Sequence, residues 1–229
     1  MPLKPQVTKL NFNEHIAVET KKNIVVIHHS AGWDNARGMY DWWRNDKYNG
    51  VCTAYGIVDS GEIFEGFDPK FWGYAINPGG GNVPAKYKTK AHDKFLNSQA
   101  VQIEICNWGA LTEKGGKLYS WSGAVVDPSR AIYYKDGFRG FKWFERYTLA
   151  EIESLKNLLL WFHTEFGISL EYHEDMWDTS TRALDGEPGI WAHVSYRPDK
   201  SDAHPQPELI EMLRSLNTIT PGRSTSKDI

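Results

Sequence analysis

Two histidines at the ends of short apolar runs are candidates for metal binding. The stretch IVVIHHSAG (Ile24–Gly32) places His28 and His29 directly after four aliphatic residues, and IWAHV places His193 near the end of a second run. A run as apolar as the first is expected to form a strand buried on both faces. Taken alone, a histidine at the end of such a strand is more often a hydrogen-bonded structural residue than a ligand.

A carboxylate follows the second of these histidines closely. The segment RPDKSDAHP contains Lys200, Asp202 and His204 within five residues. Two strand-borne histidines and a carboxylate make up a three-ligand set that suits a zinc ion with its fourth position open to water, whereas structural zinc sites are usually rich in cysteine. The pattern therefore favours a catalytic zinc centre.

Glu104 is a further polar residue in an otherwise apolar segment. It interrupts the otherwise apolar, strand-like segment AVQIEIC (Ala100–Cys106). Burying a carboxylate in such a strand is costly unless it has a partner or a purpose. Either an ion pair with a buried arginine or lysine, or a role in chemistry, would account for it.

The scaffold for these residues is predicted from hydrophobic periodicity and capping signals. Asp34 or Asn35 is predicted to cap a helix that ends near Asn49-Gly50. The segment TAYGIVDSGEIFEGF predicts two short strands joined by a hairpin turn at Asp59-Ser60-Gly61. Next comes a loop rich in glycine and proline, INPGGGNVP, which is followed by lysines. Thr148 opens a helix with a Thr-x-x-Glu capping box and Gly167 ends it. A last helix, PELIEMLRSL, follows IWAHVSY.

Because strands and helices alternate, we predict an α/β fold with a central mixed β-sheet flanked by helices, in a single domain.

Composition narrows the function classes. A chain of 229 residues, 41% of them hydrophobic, can form one domain with a substantial core. The net charge of −3 excludes a global basic field for nucleic acid or an anionic membrane, and no run approaches the roughly 20 apolar residues of a membrane span. Cys52 and Cys106 are predicted to be separate thiols in the core. Ten tryptophans fit either a flat binding surface, such as a carbohydrate groove, or an aromatic core.

Four motifs together resemble a known family. IVVIHHSAG, TAYGIVDSGEIFEG, AVQIEICNWG and AHVSYRPDKSDAHP occur in the order seen in zinc-dependent N-acetylmuramoyl-L-alanine amidases of the type-2 amidase/peptidoglycan-recognition-protein superfamily, which includes phage lysins of the T7 lysozyme kind. The motifs cover residues 24–108 and 190–210. The resemblance implies an N-terminal arm (1–22), an amidase domain (23–216) with additions at about 110–147 and 171–189, and a disordered tail (217–229).

The resemblance also implies roles for individual residues. His28 and His193 become the first two zinc ligands, and the Lys-x-Asp spacing of the family makes Asp202 the third. His204 competes for that place, because DAHP stands where DPGP is common.

Further roles follow from the same resemblance. Glu104 matches the glutamate that acts on the attacking water, while Tyr55 and Lys200 would stabilise the oxyanion. His29 would shape the pocket or pack beneath it, and Asn107 and Trp108 would line the groove for sugar or peptide.

The implied activity is hydrolysis of the amide bond between N-acetylmuramic acid and L-alanine in peptidoglycan, by a monomer with one Zn²⁺ ion. Since all three ligand positions are filled, an enzyme is favoured over a non-catalytic peptidoglycan-binding module; a zinc peptidase cutting the stem peptide stays open. The start MPLKPQVTKL has no hydrophobic signal core. We therefore expect synthesis in the cytoplasm and, for a phage-type lysin, release through a holin; a recycling amidase and a delivered effector are the alternatives.

Overall fold

The protein is built around a six-stranded sheet, as seen in a computed structural model that describes residues 3–45 and 50–217. In these residues the strands are β1 (Thr8–Lys9), β2 (Ile24–His29), β3 (Tyr55–Ile57), β4 (Ile63–Glu65), β5 (Ala100–Ile105), β6 (Ala110–Lys114), β7 (Lys117–Tyr119), β8 (Val125–Val126), β9 (Ala131–Phe138), β10 (Phe141–Glu145) and β11 (Gly189–Ala192). The helices are α1 (Ala36–Asn45), α2 (Lys90–Gln99), α3 (Leu149–Phe166), α4 (Thr181–Leu184) and α5 (Pro207–Leu216).

The order of strands in the main sheet is β1-β4-β3-β5-β2-β11. Only the β3–β4 hairpin, which turns where the sequence predicts it, is antiparallel; the other neighbours run parallel. This confirms the predicted mixed α/β sheet. The register places His28 of β2 opposite Glu104 of β5. Because neighbouring residues in register point to the same face of a sheet, the candidate ligand and the candidate base share one face.

Helices cover both faces of this sheet. On the face of His28, α1 packs so closely that a Cβ added at Gly56 would lie 3.1 Å from Met39 and 3.2 Å from Ala36. On the opposite face α3 places the ring of Phe162 5.5 Å from that of Tyr55. All six residues of β2 are buried, as expected for a central parallel strand.

The predicted helix signals are present. Asn35 accepts a hydrogen bond from the amide of Gly38 at 2.9 Å at the start of α1. The capping box of α3 is formed by Thr148 and Glu151, and Gly167 ends the helix in the left-handed region at φ 69°. Helix α1 is described up to Asn45; its predicted end near Asn49-Gly50 falls largely on residues 46–49, which lie outside the described ranges.

The structure adds to the sequence expectations at three places. The lysine-containing stretch after the predicted glycine loop, to which no element was assigned, forms α2, capped by Thr89; the helix buries only Leu96 and Asn97, so it shows no apolar period. The segment 171–189 contains a 3₁₀ turn and α4. His193 begins a 3₁₀ turn directly after β11, so it lies just beyond the strand.

A second, antiparallel sheet is formed by residues 110–145, where the sequence suggests a single strand-turn-strand excursion. Its order is β8-β7-β6-β10-β9, and a small apolar cluster of Leu111, Leu118 and Val126 stabilises one face. From the other face, Phe144 packs its ring 4.8 Å from that of His204. The second sheet is thereby joined to the loop that carries Asp202.

The chain ends and the cysteines complete the fold. In the described part of the predicted arm, β1 pairs with β4 and Phe12 enters the core. Residues 218–229, most of the predicted tail, lie outside the described ranges. Cys52 and Cys106 are both buried thiols. Among the described helices there is none with the length and apolar character needed to cross a membrane.

Candidate metal centre

Three side chains converge at the carboxyl-terminal edge of the two neighbouring strands β2 and β11. His28 is the penultimate residue of β2, His193 directly follows β11, and Asp202 reaches them from the next loop. Each offers one ligand atom, and these atoms lie within 4.8 Å of one another. The Nδ1 atoms of both rings face the same carboxylate oxygen, Oδ2 of Asp202, at 3.3 Å for His28 and 2.8 Å for His193. All three residues are buried.

The far nitrogen of each ring is held by an acceptor. Gln102 donates from its own amide nitrogen to the carbonyl of Gly73 at 2.9 Å, so its Oε1 faces Nε2 of His28 at 3.1 Å. Nε2 of His193 lies 2.9 Å from the carbonyl oxygen of Ile76. Since both partners are acceptors, each Nε2 carries the hydrogen.

This arrangement fits a bound divalent cation. When His28 and His193 carry one hydrogen each, on Nε2, their Nδ1 lone pairs point at the carboxylate of Asp202. Three buried electron-rich atoms at this separation repel one another unless a cation lies between them. Two histidines and one carboxylate match the preference of zinc and leave a coordination position open. The residues present therefore fit the zinc ion that the sequence implies.

His204, the competing third ligand, is engaged elsewhere. Its Nδ1 atom lies 2.8 Å from the hydroxyl of Tyr134, and its Nε2 atom lies 2.9 Å from the carbonyl oxygen of Glu145. The ring also stacks on Tyr147, with centroids 4.3 Å apart. Because both nitrogens have partners away from the cluster, His204 is not placed to join His28 and His193, whereas Asp202 is.

Glu104 stands beside the cluster as a buried carboxylate. Burial raises its pKa to about 8, although the charges of His28 and Lys200 act in the opposite direction. Its Oε2 atom is buried without a hydrogen-bond partner among the described residues, and no described arginine or lysine forms an ion pair with it. The described residues therefore do not supply the ion pair with an arginine or lysine that would explain this buried carboxylate structurally.

Lys200 is half-buried near the same cluster. Its positive charge contributes to lowering the pKa of both Glu104 and His29, so it lies within electrostatic reach of the candidate base. The structure thus brings Lys200 to the site, as the sequence predicts, together with the three ligands and Glu104.

A cleft of about 450 Å³ opens over Glu104 and contains most of the exposed tryptophan surface. Trp33, Trp42 and Trp121 line it and are 66%, 64% and 76% exposed. The indole nitrogen of Trp121 donates to the carbonyl of Ala31, which ties the second sheet to the wall of the cleft. The excess of tryptophan signals such a surface, but sequence alone does not identify which of the ten form it.

Tyr55 does not reach the site. Its hydroxyl donates to Glu65 at 3.0 Å, and its ring packs against α3. In the sheet register Tyr55 is opposite Ile103, the neighbour of Glu104, so it faces away from the metal ligands. The prediction that Tyr55 stabilises the oxyanion is wrong for this reason.

Three predicted groove residues are also placed outside the cleft. His29 points to the face opposite His28, where its Nδ1 lies 3.0 Å from the hydroxyl of Tyr147 and burial lowers its pKa to about 4. Asn107 is buried and donates to the carbonyl of Arg146. Trp108 packs on the apolar cluster of the second sheet. All three support the site from beneath or beside it.

Comparison with known proteins identifies the family of this arrangement. The sequence profile of the family described as N-acetylmuramoyl-L-alanine amidase matches residues 19–207. No curated protein sequence gives a significant match.

Solved structures share the fold at low sequence identity. The endolysin amidase LysCS from Clostridium intestinale URNW has a TM-score of 0.52 at 13% identity, covering 95% of this chain and 99% of its own. The N-acetylmuramoyl-L-alanine amidase LysC from the same organism has a TM-score of 0.51 at 12% identity, with 93% and 98% covered. The PlyG catalytic domain has a TM-score of 0.52 at 13% identity, with 95% and 99% covered.

Proposed function

Since the chain belongs to the family of N-acetylmuramoyl-L-alanine amidases, and is therefore a peptidoglycan amidase, we propose that it works with one zinc ion held by His28, His193 and Asp202. The observation that carries this proposal is the convergence of two Nδ1 atoms on one carboxylate oxygen, with both Nε2 atoms already bonded to acceptors. The bond cut is the amide between the lactyl group of N-acetylmuramic acid and L-alanine.

When bound, zinc would lower the pKa of a water molecule towards about 7 and polarise the amide carbonyl. Glu104 accepts a proton from the attacking water and returns it to the nitrogen of L-alanine as the amide bond breaks. Burial raises its pKa to about 8 in the metal-free protein, and a cation bound nearby would lower that pKa towards neutrality, where the group can both accept and return a proton. Its unpartnered Oε2 is available for this work.

Lys200 and the cleft supply the remaining requirements. The positive charge of Lys200 stabilises the oxyanion that develops on the carbonyl oxygen as water adds. Trp33, Trp42 and Trp121 offer aromatic faces on which the sugar rings next to the scissile bond can stack.

We further propose that the protein acts on the cell wall as a phage-type lysin, after release from the cytoplasm by a holin. The fold that it shares with the endolysin LysCS and the open, aromatic cleft support this role. We expect the enzyme to lyse intact cell walls faster than it cleaves soluble anhydro-muropeptides. The reverse preference would indicate a recycling amidase.

Mass spectrometry of digested, purified peptidoglycan tests the bond. An amidase leaves intact glycan strands and releases stem peptides with a free L-alanine amino terminus. A stem peptidase would leave L-alanine on the muramic acid, and a non-catalytic binding module would release nothing. Treatment with a chelator should stop the reaction and added zinc should restore it; a chelator-resistant amidase would contradict the zinc proposal while leaving the bond assignment intact.

A further inference from the structure

The second sheet differs in charge from the rest of the chain. Residues 110–147 contain seven Lys or Arg against four Asp or Glu, a net charge of +3. Since the whole chain has a net charge of −3, the remainder carries −6. The positive potential of the protein is therefore concentrated on this one sheet.

The arginines and lysines of this sheet have different surroundings. Arg130, Arg139 and Arg146 form ion pairs with carboxylates of the main domain or of the sheet itself. Four lysines on the same strands and turns are exposed and form no ion pair with a described carboxylate: Lys114, Lys117, Lys135 and Lys142. The arginines hold the sheet in place, and the lysines leave their charge for an external anion.

One of these lysines borders a second cleft, of about 470 Å³, which we call the lateral cleft. Tyr133, Phe141, Lys142 and Trp143 line it. Tyr133 and Trp143 are cross-strand partners with ring centroids 4.8 Å apart, and the Trp143 indole is fixed by a hydrogen bond of 3.1 Å to Glu113. Tyr133 is 47% and Phe141 39% exposed. The charged residues that line the cleft are Lys142 and Glu113, and Glu113 is engaged by the Trp143 indole. Held aromatic rings on a sheet of net positive charge suit a sugar chain that carries acidic groups.

The same sheet also contributes to the catalytic cleft. Trp121, in the turn between β7 and β8, lines that cleft and donates to the carbonyl of Ala31. Trp121 therefore brings one turn of the second sheet to the catalytic cleft, while β6, β9 and β10 of the same sheet border the lateral cleft. Peptidoglycan has both features that the lateral cleft would recognise, sugar rings and the carboxylates of its stem peptides.

We propose that the lateral cleft is a non-catalytic binding surface for the anionic peptidoglycan strand, which holds the enzyme on the wall while the catalytic cleft acts. This inference rests on the proposed function. It assigns wall attachment to residues that take no part in the hydrolysis.

Co-sedimentation with purified peptidoglycan sacculi, stripped of other anionic polymers, tests the proposal. The Glu104→Gln background keeps the sacculi intact. In that background, Tyr133→Ser and the pair Lys135→Glu/Lys142→Glu should each raise the apparent Kd roughly tenfold, which corresponds to about 1.4 kcal/mol. The matched control Lys90→Glu/Lys94→Glu reverses the same number of charges on the exposed side of α2 and should change the Kd less than about twofold.

A second measurement separates this proposal from the proposed function. With Glu104 intact, the lateral-cleft variants should cleave a soluble muropeptide at the wild-type rate and lyse sacculi more slowly. If the wild type cleaves muropeptide but the lateral-cleft substitutions leave the Kd unchanged in the Glu104→Gln background, the lateral cleft alone is overturned. A loss of affinity that the α2 control shares would overturn it as well. Dissociation of a dimer by the same variants in size-exclusion chromatography would overturn it too, by showing that a second copy of the chain occupies the cleft. Absence of muropeptide cleavage in the wild type would instead overturn the proposed function.

Discussion

Nδ1 of His193 lies 2.8 Å from Oδ2 of Asp202, nine residues further along the chain. The short connection is closed by a hydrogen bond of 2.9 Å from the amide of Val194 to the carbonyl of Asp202, so the loop is anchored beside the 3₁₀ turn. A rigid strand end supplies His28 to the same oxygen. Positioning by such elements gives a metal site the precision that a mobile loop would not.

Removal of Asp202 should abolish stable zinc binding, while removal of His204 should not. Asp202→Ala deletes the only carboxylate of the cluster, and its effect on zinc affinity should exceed the roughly 10–100-fold loss expected for an outer partner. His204→Gln should keep a full equivalent of zinc with reduced stability, because it disrupts the stack on Tyr147. Zinc content after dialysis measures both. Zinc loss in the His204 variant together with retention in the Asp202 variant would reverse the ligand assignment.

Gln102→Leu should weaken zinc binding by about 10–100-fold. The variant leaves Nε2 of His28 without its acceptor, so the ring is no longer held with Nδ1 towards the cluster. Competition with a chromogenic chelator measures the affinity. Gln99→Leu, at the half-buried end of α2, is the matched control and should leave the affinity unchanged. Equal affinities for all three proteins would show that the hydrogen bond to Gln102 does not position the ligand.

The metal-free protein should lose stability as the pH rises from about 4.5 to about 8. Burial raises the pKa of Glu104 from 4.5 to about 8, so in this window the folded state holds a proton that the unfolded state has lost. Below about pH 4.5 Glu104 is protonated in both the folded and the unfolded state, and above about pH 8 it is ionised in both, so its destabilising effect no longer changes with pH. Glu104→Gln removes this contribution, on the order of a few kcal/mol. Urea midpoints with chelator present should therefore diverge with pH, the variant becoming relatively more stable.

The exposed substitution Glu153→Gln on α3 is the control for that experiment and should follow the wild-type pH dependence. Parallel curves for wild type and Glu104→Gln would show that Glu104 ionises normally in the folded protein.

Gly109→Ala should destabilise the protein by roughly 2–4 kcal/mol. An added Cβ would lie 2.1 Å from Nε2 of His29, and the backbone is in the left-handed region at φ 68°. Gly116→Ala is matched in φ, at 73°, with no atom near its Cβ, so it isolates the backbone cost of about 1–2 kcal/mol. Thermal unfolding of both variants measures the difference. Equal losses would mean that His29 moves aside without cost and does not pack rigidly beneath the site.

The residues that converge at the candidate metal centre could be predicted because their signals are local. His28 and Glu104 are polar residues in strands that are otherwise apolar, and an apolar strand leaves few reasons for a buried charge. The spacing of Lys200 and Asp202 is equally local. The family resemblance supplied the pairing of these segments, which no single segment contains.

The errors at the site come from information that is not local. Tyr55 faces away from Glu104 because β3 pairs with β5 in a register that aligns it with Ile103, and a shift of one residue would reverse the side chain's direction. Trp121 reaches the catalytic cleft only because the second sheet folds back towards Ala31. Helix α2 was missed because it buries little apolar surface and is held chiefly by polar contacts, such as that of Asn97 with Gln102.

The turnover rate of Glu104→Gln at measured zinc occupancy tests most directly whether Glu104 transfers protons beside a zinc ion held by other residues. We expect the variant to bind one equivalent of zinc and to cleave peptidoglycan roughly 10²–10⁴-fold more slowly than the wild type, while Glu153→Gln keeps the wild-type rate. A fully zinc-loaded Glu104→Gln enzyme that turns over at the wild-type rate would contradict this role of Glu104.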